Sequence, residues 1–167
     1  LFRSQEAVQG QLDEQADSLT AGSALAASRE TDQISFATLF KGEDKAKQYL
    51  ADLVQMANTT PFLYDDLTAM SKTLATYGYD DTSILPVLQT IGDAGAALGQ
   101  STSDMNAVAT AIGRMKSSNK TTLEYLNILN DRGIGAVGML ADAYGVDQGT
   151  VYSMISKGKI AGQDAAR

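Results

Sequence analysis

The chain has 167 residues, with 13 Lys and Arg against 20 Asp and Glu, a formal charge of −7, and neither Cys nor His. That length suits one domain with a real core plus an arm. The missing residue types remove disulfides, thiolate chemistry, the common zinc sites and every histidine-based triad, and the acidic balance disfavours phosphate backbones and anionic lipid surfaces.

No apolar run approaches the roughly 18 residues of a membrane span, and no cofactor is expected. The chain opens on Leu1, so it is expected to be a fragment of a longer protein or a processed product.

Residues 1–35 are rich in Gln, Ala, Ser and Asp, with Leu12, Leu19 and Ala26 seven residues apart. This thin seam predicts a helical arm, either solvated or self-associating through those three positions.

Residues 36–167 read as a separate helical domain. Ala46, Leu50, Leu53 and Ala57 make one helical stripe that Pro61 stops. Leu63, Leu67, Met70 and Leu74 make the next, closed near Gly78. Asp81 to Ser83 offer capping residues before Ile84-Leu85-Pro86, and Leu88, Ile91, Ala94 and Leu98 run on to Gly99. Met105, Val108, Ile112 and Met115 repeat the pattern. Leu123, Leu126 and Leu129 follow, then Val137, Leu140, Ala141 and Tyr144, then Val151, Met154 and Ile155. Nothing alternates with period two for long enough to be a strand. The expected class is all-α, a multi-helix bundle of short antiparallel helices preceded by the arm.

Gly133-Ile134-Gly135-Ala136-Val137-Gly138 matches the dinucleotide fingerprint GxGxxG letter for letter. That loop needs a preceding strand and an acidic residue about twenty positions on. Here TTLEYLNILN precedes it, a helical pattern, and Ser153 and Met154 fall near the acidic position. The glycines read instead as a tight helix-to-helix turn. The pairs Asp65-Asp66, Asp80-Asp81, Ser71-Lys72 and Ser156-Lys157 are adjacent in sequence, which splays their side chains apart and offers no catalytic set. The chain therefore reads as non-enzymatic.

Tyr144 to Ile160, YGVDQGTVYSMISKGKI, has the cadence of a DNA-reading helix-turn-helix. Gly145 marks the turn, Asp147 can cap a helix beginning at Gln148, Val151, Met154 and Ile155 face inward, and Gly158 ends it. Gln148, Thr150, Tyr152, Ser153 and Ser156 would face out. Only Lys157 and Lys159 supply positive charge, opposed by Asp142 and Asp147. Two readings follow for the 147–158 helix: a structural corner built on Gly133, Gly135, Gly145, Val151, Ile155 and Gly158, or the recognition helix of a DNA-binding regulator. The charge favours the corner, with no specific nucleic-acid partner.

From Phe36 to Arg167 the chain resembles the amino-terminal domain of tail tape measure proteins of long-tailed phages and prophages. The resemblance is carried by GEDKAKQYLADLVQMANTTPF, by YDDLTAMSKTLATYGYDDTSILPVLQTIGDAGAALGQ and above all by VATAIGRMKSSNKTTLEYLNILNDRGIGAVGMLADAYGVDQGTVYSMISKGKIAGQDA. Gly135 departs from it, standing where the family pattern leads one to expect proline, which makes the 133–138 turn softer. The resemblance implies a structural virion protein involved in tail assembly and tail-length determination. It implies tail-tube, tail-tip or tail-assembly chaperone proteins as partners, synthesis in the bacterial host cytoplasm and a final place in the tail tube lumen. Repeated short helices between Gly and Pro fold back on themselves, so this segment is not expected to be the ruler. A wall-degrading enzyme is a third reading, resting only on such domains elsewhere in larger tape measure proteins.

Overall fold

A computed structural model describes Ser23 and residues 26–166, with Gln163 described by its backbone alone. The chain divides into two compact units, residues 1–47 and residues 48–167.

In the first unit, residues 26–40 are helical (α1). Thr31, Ser35 and Thr38 turn their hydroxyls back to the carbonyls four residues earlier, so these residues sit in the helix without seeking outside partners. Phe36 and Phe40, one turn apart, are buried and stack with ring centroids 5.4 Å apart. The helix α2 (Glu43–Thr59) begins here behind Gly42.

The second unit takes up α2 from Gln48, where Tyr49 and Leu53 are buried, and the helix stops ahead of Pro61. It continues through α3 (Tyr64–Thr76), α4 (Ile84–Leu98), α5 (Thr102–Ser118), α6 (Leu123–Asn130), α7 (Ala136–Tyr144), α8 (Gln148–Ser156) and the single turn α9 (Gly162–Ala165). The fold is all-α, with no strand among the described residues.

Local signals set the helix ends. Ser101 and Asp104 form a reciprocal capping box at the start of α5, and the Thr122 hydroxyl accepts the Tyr125 N–H at the start of α6. Helices α3, α4, α6, α7 and α8 all close on a left-handed glycine (Gly78, Gly99, Gly133, Gly145 and Gly158), and the N–H after each glycine returns to the carbonyl five residues back. The turn before α4 is held by Asp80, whose carboxylate accepts the N–H groups of Thr82 and Ser83, and by the Ser83 hydroxyl, which accepts the Asp80 N–H.

Helix α5 lies at the centre, packed against α3, α4, α6 and α9. Its neighbours surround it, so Ala109, Ala111 and Gly113 are buried together with Met105, Val108 and Met115, while Ile112 is half-buried. Leu67, Met70 and Leu74 of α3 and Ile84, Leu88 and Ile91 of α4 complete this part of the core, each such burial worth about 1.5–3 kcal/mol. A buried chain of hydroxyls ties α2 to α3: Tyr49 donates to Ser71 at 2.6 Å, and Ser71 donates to the Leu67 carbonyl at 2.6 Å.

Some residues of the expected apolar stripes lie outside this core. Leu63 is exposed because it precedes α3 as its cap, and Leu98, Leu123 and Tyr144 stand at helix ends. In α4 the inward line runs through Gly92 and Gly95, where the Phe62 ring and the Met105 thioether fill the space that a Cβ would need.

Candidate interaction surface at the α7–α8 corner

The corner begins where α6 ends. Gly133 adopts φ 76°, a conformation that a residue with a Cβ adopts only with strain, and this lets the Ile134 N–H reach the Leu129 carbonyl at 3.0 Å. Gly135 then takes φ −70° and ψ 57°, and the Ala136 N–H reaches the Ile134 carbonyl at 2.7 Å, an inverse γ-turn. The same N–H meets the Asn130 side-chain oxygen at 3.0 Å, so Asn130 spans the turn and caps α7 from behind. The element ahead of GxGxxG is thus a helix, and the donor at the start of α7 is satisfied from within the chain.

A polar junction fixes this turn to the start of α5. Gln100 donates its side-chain N–H to the Arg132 carbonyl. Arg132 returns the contact, with its Nε 3.4 Å from Asp104 Oδ1 and its Nη1 donating to the Ile128 carbonyl at 3.0 Å. Arg132 Nε is buried and makes no hydrogen bond, so the ion pair is its described contact there. The Ser101 hydroxyl and backbone N–H, with Arg132 adding its charge, hold the Asp104 carboxyl below the usual carboxylate range.

Helix α7 ends on Gly145, and three residues later α8 begins. Asp147 accepts the Thr150 N–H at 2.9 Å and the Thr150 hydroxyl at 2.6 Å, and these bonds lower its pKa. Thr150 therefore turns back onto the cap and is half-buried, where the periodicity placed it outward. Val151 is fully buried and Ile155 nearly so. Past Gly158 the Lys159 N–H closes on the Met154 carbonyl. Ile160 is buried, the Thr121 hydroxyl donates to the Ala161 carbonyl at 3.2 Å, and Gly162 lies so close to α5 that a Cβ would overlap the Met115 carbonyl oxygen.

The residues at 133, 135, 145, 151, 155 and 158 thus belong to one continuous corner. Ala26 is exposed on α1 in the other unit, and Leu12 and Leu19 lie outside the described residues. Sequence reasoning missed Ile160, Gly162, Arg132 and Asp104 as structural members of the corner. Ile160 carried a signal, an isolated apolar residue after Lys-Gly-Lys, whereas Arg132 and Asp104 are far apart in the chain and carried none.

The outer surface of the corner mixes exposed apolar side chains with polar and charged ones, Asp142 and Asp147 among them. Met139 is 65% exposed and Tyr152 42%, and Gln148, Ser153 and Ser156 are also exposed. Helix α8 carries no Arg or Lys, since Lys157 and Lys159 follow its last residue. A three-residue turn between two helices gives the topology of a DNA-reading module without the cations on the second helix that such modules aim at bases and phosphates.

Elsewhere the paired residues serve local structure. Ser71 is held by Tyr49 and Leu67, and Ser156 donates to the Tyr152 carbonyl at 2.7 Å, so neither hydroxyl addresses its neighbouring lysine. Among the described residues no cluster of acidic side chains could hold a metal ion, and no helix is long and apolar enough to cross a membrane.

A family model described as tape measure protein matches residues 20–167. The chain belongs to the tape measure protein family. Membership makes it a structural component of a phage tail, with protein partners in that tail. No curated protein and no solved structure matches the chain.

Proposed function

We propose that this tape measure segment is non-catalytic and promotes tail assembly through contacts with tail-tube, tail-tip or assembly-chaperone proteins or with a second copy of itself. It is made in the host cytoplasm and ends in the tail tube lumen. Its part in length determination is to anchor or nucleate the assembly rather than to add length. The observation that carries this reading is the helix-reversing glycine that closes five of the helical segments in residues 48–167, within a family match that covers most of the chain. A ruler extends about 1.5 Å per residue only while the helix is unbroken.

Deleting residues 48–167 from the full-length phage gene and measuring tails by electron microscopy tests it. If these residues were an extended ruler, the surviving tails would be shorter by about 180 Å. The expected result is loss of tails, or rare tails of unchanged length. Tails formed in normal number and shortened by about that amount would overturn the proposal.

A further inference from the structure

The α7–α8 hairpin is attached to the rest of its unit in an uneven way. Helix α8 packs on α7, and α7 packs on α6, whereas α3, α4, α6 and α9 all pack on α5. On the amino-terminal side the hairpin is pinned by the Arg132–Asp104 ion pair and the Gln100 bond to the Arg132 carbonyl. On the carboxyl-terminal side it is pinned by buried Ile160, by the Thr121 bond to Ala161 and by Gly162 pressed on the α5 backbone. Just inside the two pins lie Gly133 and Gly158, both left-handed, and Gly135 follows the first. Between the pins, Val137, Leu140, Ala141, Val151 and Ile155 are buried.

We infer that residues 133–158 form a separately opening unit, a helical flap hinged at Gly133–Gly135 and at Gly158, with the Arg132 strap fixing the core side of the first hinge and so the seat of α7 on α6. Glycines at both hinges lower the barrier to backbone rearrangement there. The flap's main helix contact outside itself is with α6, whereas α5 packs against four helices. Local opening therefore costs less than unfolding the α3–α4–α5 core. The carboxyl-terminal pin combines the buried Ile160 and the close approach of Gly162 with the Thr121 bond to Ala161, whereas the amino-terminal strap is an ion pair between half-exposed groups plus the Gln100 bond to a carbonyl. The strap is the weaker of the two. Opening swings α7 off α6 and uncovers the apolar face between them, while α7 and α8 stay together. The glycine motif that mimics a nucleotide loop thus acts as a hinge.

Hydrogen exchange of the chain, read by peptic peptides, tests this. Amides of 136–156 should exchange together and faster than those of α5. Arg132→Gln should speed exchange of 136–156 about threefold to tenfold and leave α3 and α5 unchanged. Asp104→Asn, which keeps a side-chain acceptor for the capping box, and Gln100→Ala should each give a smaller increase in the same peptides, and these two variants carry the test if Arg132→Gln folds poorly. Three results would overturn the inference: 136–156 protected as strongly as α5 in the unaltered chain, exchange in 136–156 unmoved by any of the variants, or acceleration shared equally by α5.

Discussion

Replacing Gly135 by proline should stabilise this protein, and the reason lies in the backbone. Gly135 sits at φ −70°, within the range that the proline ring imposes, and its ψ of 57° places it in an inverse γ-turn. No described hydrogen bond uses its N–H, so none is lost with the donor. A Cβ built there meets nothing within 4 Å, and the residue is exposed. Ile134 lies outside any helix and is β-branched, which suits a residue preceding proline. Glycine in the unfolded chain has the widest freedom of any residue, and fixing φ removes much of that entropy before folding. The gain is about 0.4–1 kcal/mol. For a protein of this size that raises Tm by about 1–4 °C. Gly133→Ala is the control two residues away. Its φ of 76° strains any Cβ, so alanine there should cost about 1–2 kcal/mol. Thermal unfolding followed by circular dichroism reads both variants. A fall in Tm for Gly135→Pro would show that the turn needs the Gly135 N–H or a different φ, and the geometry argued above would be wrong.

Two further substitutions and a pH titration extend the test. Gly162→Ala should cost about 1–3 kcal/mol, because the new Cβ would overlap the Met115 carbonyl and the Lys120 N–H, which are backbone atoms that cannot step aside. Gly95→Ala should cost less, since the obstacle there is the flexible Met105 thioether; chemical denaturation giving the reverse order would refute the close approach of α9 to α5. Stability should be nearly flat from pH 5 to 8, where a chain without histidine has few groups to titrate, and should fall below pH 4. Bonds from Ser83 and then Thr82 hold the Asp80 carboxyl at about 2, below its ordinary 3.8, and Asp104 and Asp147 are lowered by Ser101 and Thr150. A depressed folded-state pKa gives stability that is complete above the unfolded value and lost as pH falls through the folded one, so the loss belongs between about pH 4 and pH 2. These groups are exposed and screened, so the slope is shallow. Asp80→Asn should flatten it, and a midpoint shift centred near pH 6 to 7 would contradict the assignment.

The fold class was legible because helix ends are written locally. A left-handed glycine after a run of apolar residues, or Ser, Thr or Asp before one, satisfies backbone groups of its own neighbourhood, and no distant partner is needed to read it. The face that each helix buries was less legible. Leu63, Leu98 and Leu123 fit the periodic stripes yet are exposed, because they stand at or just before helix ends, which periodicity alone does not mark. Gly92, Gly95 and Gly113 are buried contact points, a role that depends on Phe62, Met105 and Tyr77 arriving from elsewhere. The N-cap of α4 is Ser83, inside the span read from the sequence, whereas the bonds of Asp80 to the Thr82 and Ser83 N–H groups depend on turn geometry that composition does not mark. In the corner, Gly145, Val151, Ile155 and Gly158 could be placed from spacing. The Arg132–Asp104 pair could not, because nothing in the sequence couples the end of α6 to the start of α5.

The placement of the apolar residues separates contact from measurement in this part of the chain. A segment that worked as an extended helix would show its whole circumference to its surroundings, and its apolar residues would be covered by partners along the full length. Residues 48–167 do the opposite: α5, 17 residues or about 26 Å long, spends almost all its apolar surface on other helices of the same unit. What remains outside is limited to scattered positions such as Met139 and Tyr152 on the corner. A partner gripping a surface of this kind recognises its folded shape, so unfolding the unit should abolish binding even with every residue present. Val151→Asp supplies that condition, since it places a carboxylate at a fully buried position with no partner to receive it. If a tail protein still bound the chain after circular dichroism showed the Val151→Asp unit unfolded, recognition would be linear, and the segment could serve as an extended element after all.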